Sequence, residues 1–155
     1  MRKELSAPLL AGAAAILAVL IAPAAANASE IGAGSGHAYG SANNACFDTT
    51  WGWVENTSCS TTNWQMSLPV TTTGAFNPTI SFYDSGTTTF LTCGTYAVDK
   101  TGQTISWTGM ITRSGFFGVS RNGAFQPGAE TVPAGGYLGV SCNMPEYTYV
   151  YSVTW

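Results

Sequence analysis

His37 is the only imidazole in this 155-residue chain, and it sits in a run of Gly, Ser, Ala and Asn that offers little to pack around it. A Ser-His-Asp or Cys-His nucleophile needs its base within hydrogen-bond reach, and an unpacked segment cannot hold one in place. Glycoside hydrolysis needs only two carboxylates, so it survives this test. Glu55 is one acidic candidate, with Asp48 or Asp84 as carboxylates that a fold could bring near it. Asp84 and Asp99 stand in Asp-Ser-Gly and Asp-Lys-Thr-Gly, where turn capping accounts for them, and Glu130 and Glu146 fall in expected loops. The four cysteines lack the tight pair spacing of zinc and redox sites, and no Asp-x-Asp calcium loop occurs. The expectation is a protein that is not an enzyme, with no cofactor and no metal.

Aromatic rings are the remaining resource: five tryptophans and seven tyrosines. Sugar rings stack on flat aromatic faces, and a Thr- and Asn-rich surface can hydrogen-bond hydroxyls. The competing use of such rings is to fill a core. Trp64 and Trp107 alternate with apolar residues and are expected inside. Trp51 and Trp53 share one face while Val54 takes the other, so these two, with Tyr83, form the candidate ligand platform. Asn56-Thr57-Ser58 matches a glycosylation sequon and is read as a turn element.

The elements that must position these residues follow an export signal. Arg2 and Lys3 precede an apolar run ending at Pro23, and Ala26-Asn27-Ala28 fits small-residue cleavage, so residues 1–28 are expected to be a signal peptide. No later apolar segment is long enough to span a bilayer. Residues 29–45 are expected to form a flexible Gly/Ser/Ala/Asn-rich arm. Residues 46–155 are expected to be one domain. The mature part carries few charges and no basic patch, so nucleic acid is excluded as a partner.

From Cys46 onward, short runs rich in Thr, Val, Ile and aromatic residues alternate with turn signals, which is the all-β pattern. Strands are expected at residues 50–55, 63–70, 79–83, 88–98, 103–112, 116–120, 124–126, 136–143 and 147–155. Trp64, Met66, Leu68 and Val70 should share one face. So should Leu91, Cys93 and Ala97, then Ile105, Trp107 and Ile111, then Leu138, Val140 and Cys142. On the last strand, Tyr147, Tyr149, Tyr151, Val153 and Trp155 should line up. Asp99-Lys100-Thr101-Gly102 and Asn122-Gly123 read as hairpin turns. Seven to nine short strands in this length predict a small antiparallel β-sandwich, immunoglobulin-like or jelly-roll-like.

Four cysteines permit three pairings, and spacing does not choose among them. Cys93 and Cys142 both fall on inward faces, and joining them would close a loop of about fifty residues, worth roughly 4 kcal/mol. Cys46 and Cys59 would close a loop of about fourteen, worth roughly 3 kcal/mol.

Several segments carry a resemblance: Cys46, Gly52 and Val54-Glu55-Asn56-Thr57-Ser58, then Leu68-Pro69-Val70. Ile80-Ser81-Phe82-Tyr83-Asp84 and Leu91-Thr92-Cys93 follow, and near the end come the stretch from Gly136 to Pro145 and Tyr149-Val150-Tyr151-Ser152-Val153. The chain resembles a loose group of small secreted proteins of environmental bacteria such as myxobacteria, which share a cysteine-stapled β-sandwich pattern. The resemblance implies a fold and no activity. Its pattern fits a Cys93–Cys142 bridge. It differs at the second cysteine, which in the group stands just before the proline of the Leu68-Pro69 segment, so the partner of Cys46 stays open on this ground.

These observations predict a secreted, disulfide-stabilised, non-catalytic module with a structural or interaction role outside the cell. One alternative is a carbohydrate-binding module that meets a glycan, rather than a protein, on its exposed aromatics. A second alternative is a small outer-membrane β-barrel, suggested by the aromatic final strand ending at Trp155.

Overall fold

Apolar and polar residues alternate most strictly at Thr61–Leu68, and there Thr62, Trp64, Met66 and Leu68 all turn inward and are buried. The same period of two places Leu91, Cys93 and Ala97 inside, and Leu138, Val140 and Cys142 with them. These positions belong to a computed structural model of the chain, which describes residues 29–84, 90–112 and 121–155. The signal-peptide expectation for residues 1–28, the Asp84-Ser85-Gly86 turn and the strand expected at 116–120 lie outside the described residues.

In chain order the described strands are β1 (Glu30–Gly32), β2 (His37–Ala38), β3 (Phe47–Asp48), β4 (Val54–Asn56), β5 (Thr61–Leu68), β6 (Gly74–Phe76) and β7 (Thr79–Asp84). They continue as β8 (Thr92–Val98), β9 (Thr104–Trp107), β10 (Ile111–Thr112), β11 (Arg121–Phe125), β12 (Glu130–Val132), β13 (Tyr137–Pro145) and β14 (Tyr149–Thr154). The described residues hold fourteen segments where seven to nine were expected, because the run at 103–112 divides into β9 and β10 and because the short strands β1, β2, β3, β6 and β12 form where none was expected.

All pairings are antiparallel. The first sheet runs β11-β7-β14-β4-β3, with β1 also paired to β14. The second runs β10-β8-β13-β5-β2, with β9 also paired to β8, and β6 with β12 makes a small third sheet. Val54, Ile80, Phe82, Val150 and Val153 of the first sheet meet Trp64, Met66, Leu138, Val140 and Met144 of the second in one core. The fold is therefore an all-β antiparallel sandwich. A barrel would be a single closed sheet with its apolar face outward, whereas these are open sheets with apolar faces turned on each other. Among the described residues, no helix is long and apolar enough to cross a membrane.

Disulfides join Cys46 to Cys59 and Cys93 to Cys142. The second links directly opposed residues of β8 and β13, deep in the core. The first ties the turn before β3 to the loop after β4, where Thr57 donates to the Cys46 carbonyl. Asn56 of the sequon is fully buried there, its amide donating to the carbonyls of Cys59 and Met144. Its side chain is spent on structure.

Four expectations are corrected. Residues 29–45 are no free arm: β1 pairs with β14 and β2 with β5, and Ala33 is fully buried. The glycines of this segment permit close approach. A Cβ on Gly32 would stand 2.7 Å from the Gly52 carbonyl oxygen, and one on Gly36 would enter the Trp64 ring. Asn122-Gly123 makes no hairpin turn, because β11 runs through it opposite Tyr83 and Phe82 of β7; cross-strand pairing overrides the local turn preference. The run expected at 103–112 breaks at Gly109 (φ 77°), and its Trp107 is 46% exposed instead of buried. The last strand does not keep one face, since a bulge between Val150 and Ser152 shifts the register. Tyr149 and Tyr151 stay outward while Val153 turns into the core.

Candidate functional site

The outer face of the first sheet carries one row of polar and aromatic side chains across five strands. Asp48 of β3 lies opposite Glu55 of β4, and Glu55 opposite Tyr149 of β14. Tyr149 lies opposite Tyr83 of β7, and Tyr83 opposite Asn122 of β11. The row faces out because its neighbours along the strands, Val54, Val150 and Phe82, face in. Directly opposed side chains on a sheet stand within contact distance, so the topology assembles this surface without any cleft.

Aromatic contacts extend the row. Tyr83 and Tyr149 meet edge to face at 5.5 Å between centroids, and Tyr149 and Tyr151 lie nearly parallel at 6.5 Å. Tyr151 meets Trp53 edge to face at 6.2 Å, and Trp53 stacks with Trp51 at 6.3 Å. The two tyrosines, two residues apart, share the outer face, and the bulge between Val150 and Ser152 lets Val153 turn into the core behind them. Trp51 and Trp53 precede β4 in a turn closed by the Gly52 amide bonding the Thr49 carbonyl, with Gly52 at φ 85°. Trp51, at 72% exposure, is the outermost ring. The structure thus brings together Trp51, Trp53 and Tyr83, and joins them through Tyr149 and Tyr151. Alternation on the last strand put those two tyrosines on one face, without deciding whether that face turns in or out. Their contact with Trp53 needed the tertiary pairing of β14 with β4.

Polar groups hold the stripe in order. The Tyr149 hydroxyl hydrogen-bonds the Glu55 carboxylate, and this bond, ahead of burial and the carboxylate's charge, pushes the phenol up to about 12. Tyr151 bonds Asn122 at 3.1 Å between hydroxyl and amide oxygens. Partial burial, with Tyr83 nearby, raises its phenol as well. At the near end, Tyr147 bonds Glu146, which raises its phenol. Tyr147 holds φ at 61°, and its amide donates to the Asn56 carbonyl at 2.7 Å.

Of the two carboxylates expected as possible neighbours of Glu55, Asp48 and Asp84, register places Asp48 directly opposite it. The settings of Asp48 and Glu55 suit acceptors more than proton donors. Asp48 Oδ1 accepts from the Thr50 hydroxyl and the Thr50 amide, which hold its carboxyl below the usual range. A general acid near neutral pH needs the opposite shift. Asp99 is committed likewise to its turn, accepting from Thr101 and Gln103. His37 pairs in β2 opposite Gln65, on the second sheet. Among the described residues, no group of three or more metal-ligating side chains comes together.

Among the described residues, concavities also lie away from the stripe. One of about 230 Å³ lies between residues 36–38, Phe47 and Trp64, and one of about 490 Å³ lies beside Trp155 and residues 69–72. Neither is lined by a ring of the stripe. What the stripe offers is a long, open surface of rings flanked by hydrogen-bond acceptors. Comparison of the chain with known protein families and with curated proteins finds no match.

Proposed function

We propose that this protein is an exported, non-catalytic interaction module that binds an extended glycan along the stripe from Trp51 to Tyr83. The observation that carries this reading is the unbroken sequence of five aromatic rings on a solvent face. Ring centroids follow one another at 5.5–6.5 Å, and because two of the four steps are edge to face, sugar units stack on the rings that turn a face outward while the others offer edges and hydroxyls. Rings supply contact area at low entropic cost, and the polar groups beside them fix orientation. Glu55 and Asn122 stand ready to accept hydroxyl protons. Asp48, Glu55 and Glu146 put negative charge along the row, which favours a neutral or cationic chain over an anionic one.

Binding of the exported protein to a panel of immobilised glycans tests this. Trp51→Ala removes an exposed ring and is expected to weaken binding by about tenfold, which corresponds to about 1.4 kcal/mol, with the melting temperature unchanged. Glycan binding that ignores Trp51→Ala and Trp53→Ala, or no binding to any neutral glycan, sinks the reading. Export is tested by the intact mass of protein recovered outside the cytoplasm. A chain beginning at Ser29 is expected, and a retained Met1 would contradict it.

A further inference from the structure

The opposite side of the sandwich carries a second surface of different construction. In the second sheet, Trp107 of β9 lies opposite Tyr96 of β8, Tyr96 opposite Gly139 of β13, and Gly139 opposite Ser67 of β5. The next row holds Gly94, Ser141, Gln65 and His37, and the one after it Thr92, Asn143 and Asn63. Two positions in these rows are glycine, and both are covered by rings. A Cβ on Gly94 would stand 2.8 Å from the tip of the Trp107 indole, and a Cβ on Gly139 would enter the Tyr96 ring. Both rings therefore lean over the sheet, 5.9 Å apart and tilted by 42°. Beside them, Asn63 donates to Asn143 at 2.9 Å and accepts from Ser141 at 3.0 Å. Among the described residues, the side chains of Gln65 and Ser67 have no hydrogen-bond partner. Apart from His37 at their end, these three rows hold no Asp, Glu, Lys or Arg.

We propose that this face is a second glycan site, which seats a neutral, unbranched polysaccharide on Trp107 and Tyr96 and hydrogen-bonds it through Asn63, Asn143 and Gln65, with the buried Ser141 hydroxyl holding Asn63 in place. An uncharged surface of amides and hydroxyls beside flat rings complements a pyranose with equatorial hydroxyls: its C–H face stacks, and its edge bonds. A charged partner would find no counter-ion here. The two faces point in opposite directions from one core. Together with the stripe, and resting on the reading of that stripe as a glycan site, this makes one molecule able to bridge two polysaccharide chains.

Affinity electrophoresis in gels containing hydroxyethyl cellulose, glucomannan or xylan provides the test, using exported, fully oxidised protein. The double variant Trp51→Ala/Trp53→Ala, with the stripe disrupted, is expected to remain retarded by at least one of the three polymers. Adding Trp107→Ala should cut that retardation at least tenfold, and Trp107→Phe in its place should restore it. Wild-type protein should raise the viscosity of the polymer that retards it, and variants lacking either face should bind without raising it. Should the double variant fold poorly, Trp107→Ala alone must still lower retardation and abolish the viscosity rise. If no polymer retards the double variant, or Trp107→Ala leaves retardation intact, the proposal fails. It also fails if Trp107→Phe restores the melting temperature but not retardation, since the rings then only cover the glycines. If retardation persists through Trp107 alone and viscosity never rises, the second site stands and the stripe reading falls.

Discussion

At the scale of residues, the pairing of Tyr149 with Glu55 has a measurable signature. The folded-state phenol is raised to about 12 from an ordinary value of 10.0, first by its bond to the carboxylate. A folded state that holds its proton more tightly than the unfolded chain gains stability that is complete below about pH 10. That stability is lost as pH rises through about 12. Spectrophotometric titration of tyrosinate should therefore show one phenol ionising well above the ordinary value. Glu55→Gln removes the charged acceptor and should bring that phenol back towards 10. An unchanged titration in Glu55→Gln would mean that Tyr149 does not lean on Glu55, and the order of the stripe would need another cause.

At the scale of elements, the segment that begins at Ser29 shows how glycine can mislead. Its Gly and Ser content reads as a flexible tether, yet Gly36 backs directly onto the Trp64 indole, which is fully buried. Gly36→Ala should therefore force an overpacked contact and destabilise the domain by about 1–3 kcal/mol, read as a shift in the urea midpoint. A free tether would tolerate the change without effect. The β14 bulge teaches a related lesson. A strict alternation would put Val153 on the same face as Tyr149 and Tyr151, but one extra residue lets the tyrosines face out while Val153 enters the core.

At the scale of the whole molecule, the two disulfides do different work. Cys93–Cys142 spans 49 residues and lies in the core, whereas Cys46–Cys59 spans 13 near the surface. Cys142→Ala should cost about 2–5 kcal/mol, the usual range for a native bridge in a small secreted domain. It also leaves the Cys93 thiol among apolar neighbours, able to exchange with the other bridge, so the variant should accumulate poorly or as mixed disulfides. Cys59→Ala should be milder, because the Asn56 side chain still ties that loop to the backbone of Met144 and of residue 59. Denaturant unfolding and thiol counting check both, and native protein should show no free thiol. The reverse ranking would contradict the placement of the bridges.

The sequence by itself determined the inward faces of β5, β8 and β13 and the turn at Asp99–Gly102. Trp64, Met66 and Leu68 alternate with polar residues, as do Leu138, Val140 and Cys142, and burial follows that period directly. The Asp99–Gly102 turn formed as expected, with Gly102 at φ 85° and Asp99 accepting from Thr101 and Gln103. These features depend on near neighbours, whose chemistry is written in order along the chain. Only the tertiary structure decided what Trp107 does: it sits on an edge strand, where its alternation with Ile105 gives a face with no second sheet above it. Only tertiary pairing turned Asn122-Gly123 into a strand, and only the packing of Gly32 and Gly36 fixed the segment after residue 28. The stripe itself depends on which strands become neighbours, since Asp48, Glu55, Tyr149, Tyr83 and Asn122 are scattered along the chain and meet through register alone. Periodicity records which face a side chain takes; the partner across that face is set by long-range pairing, which no local pattern encodes.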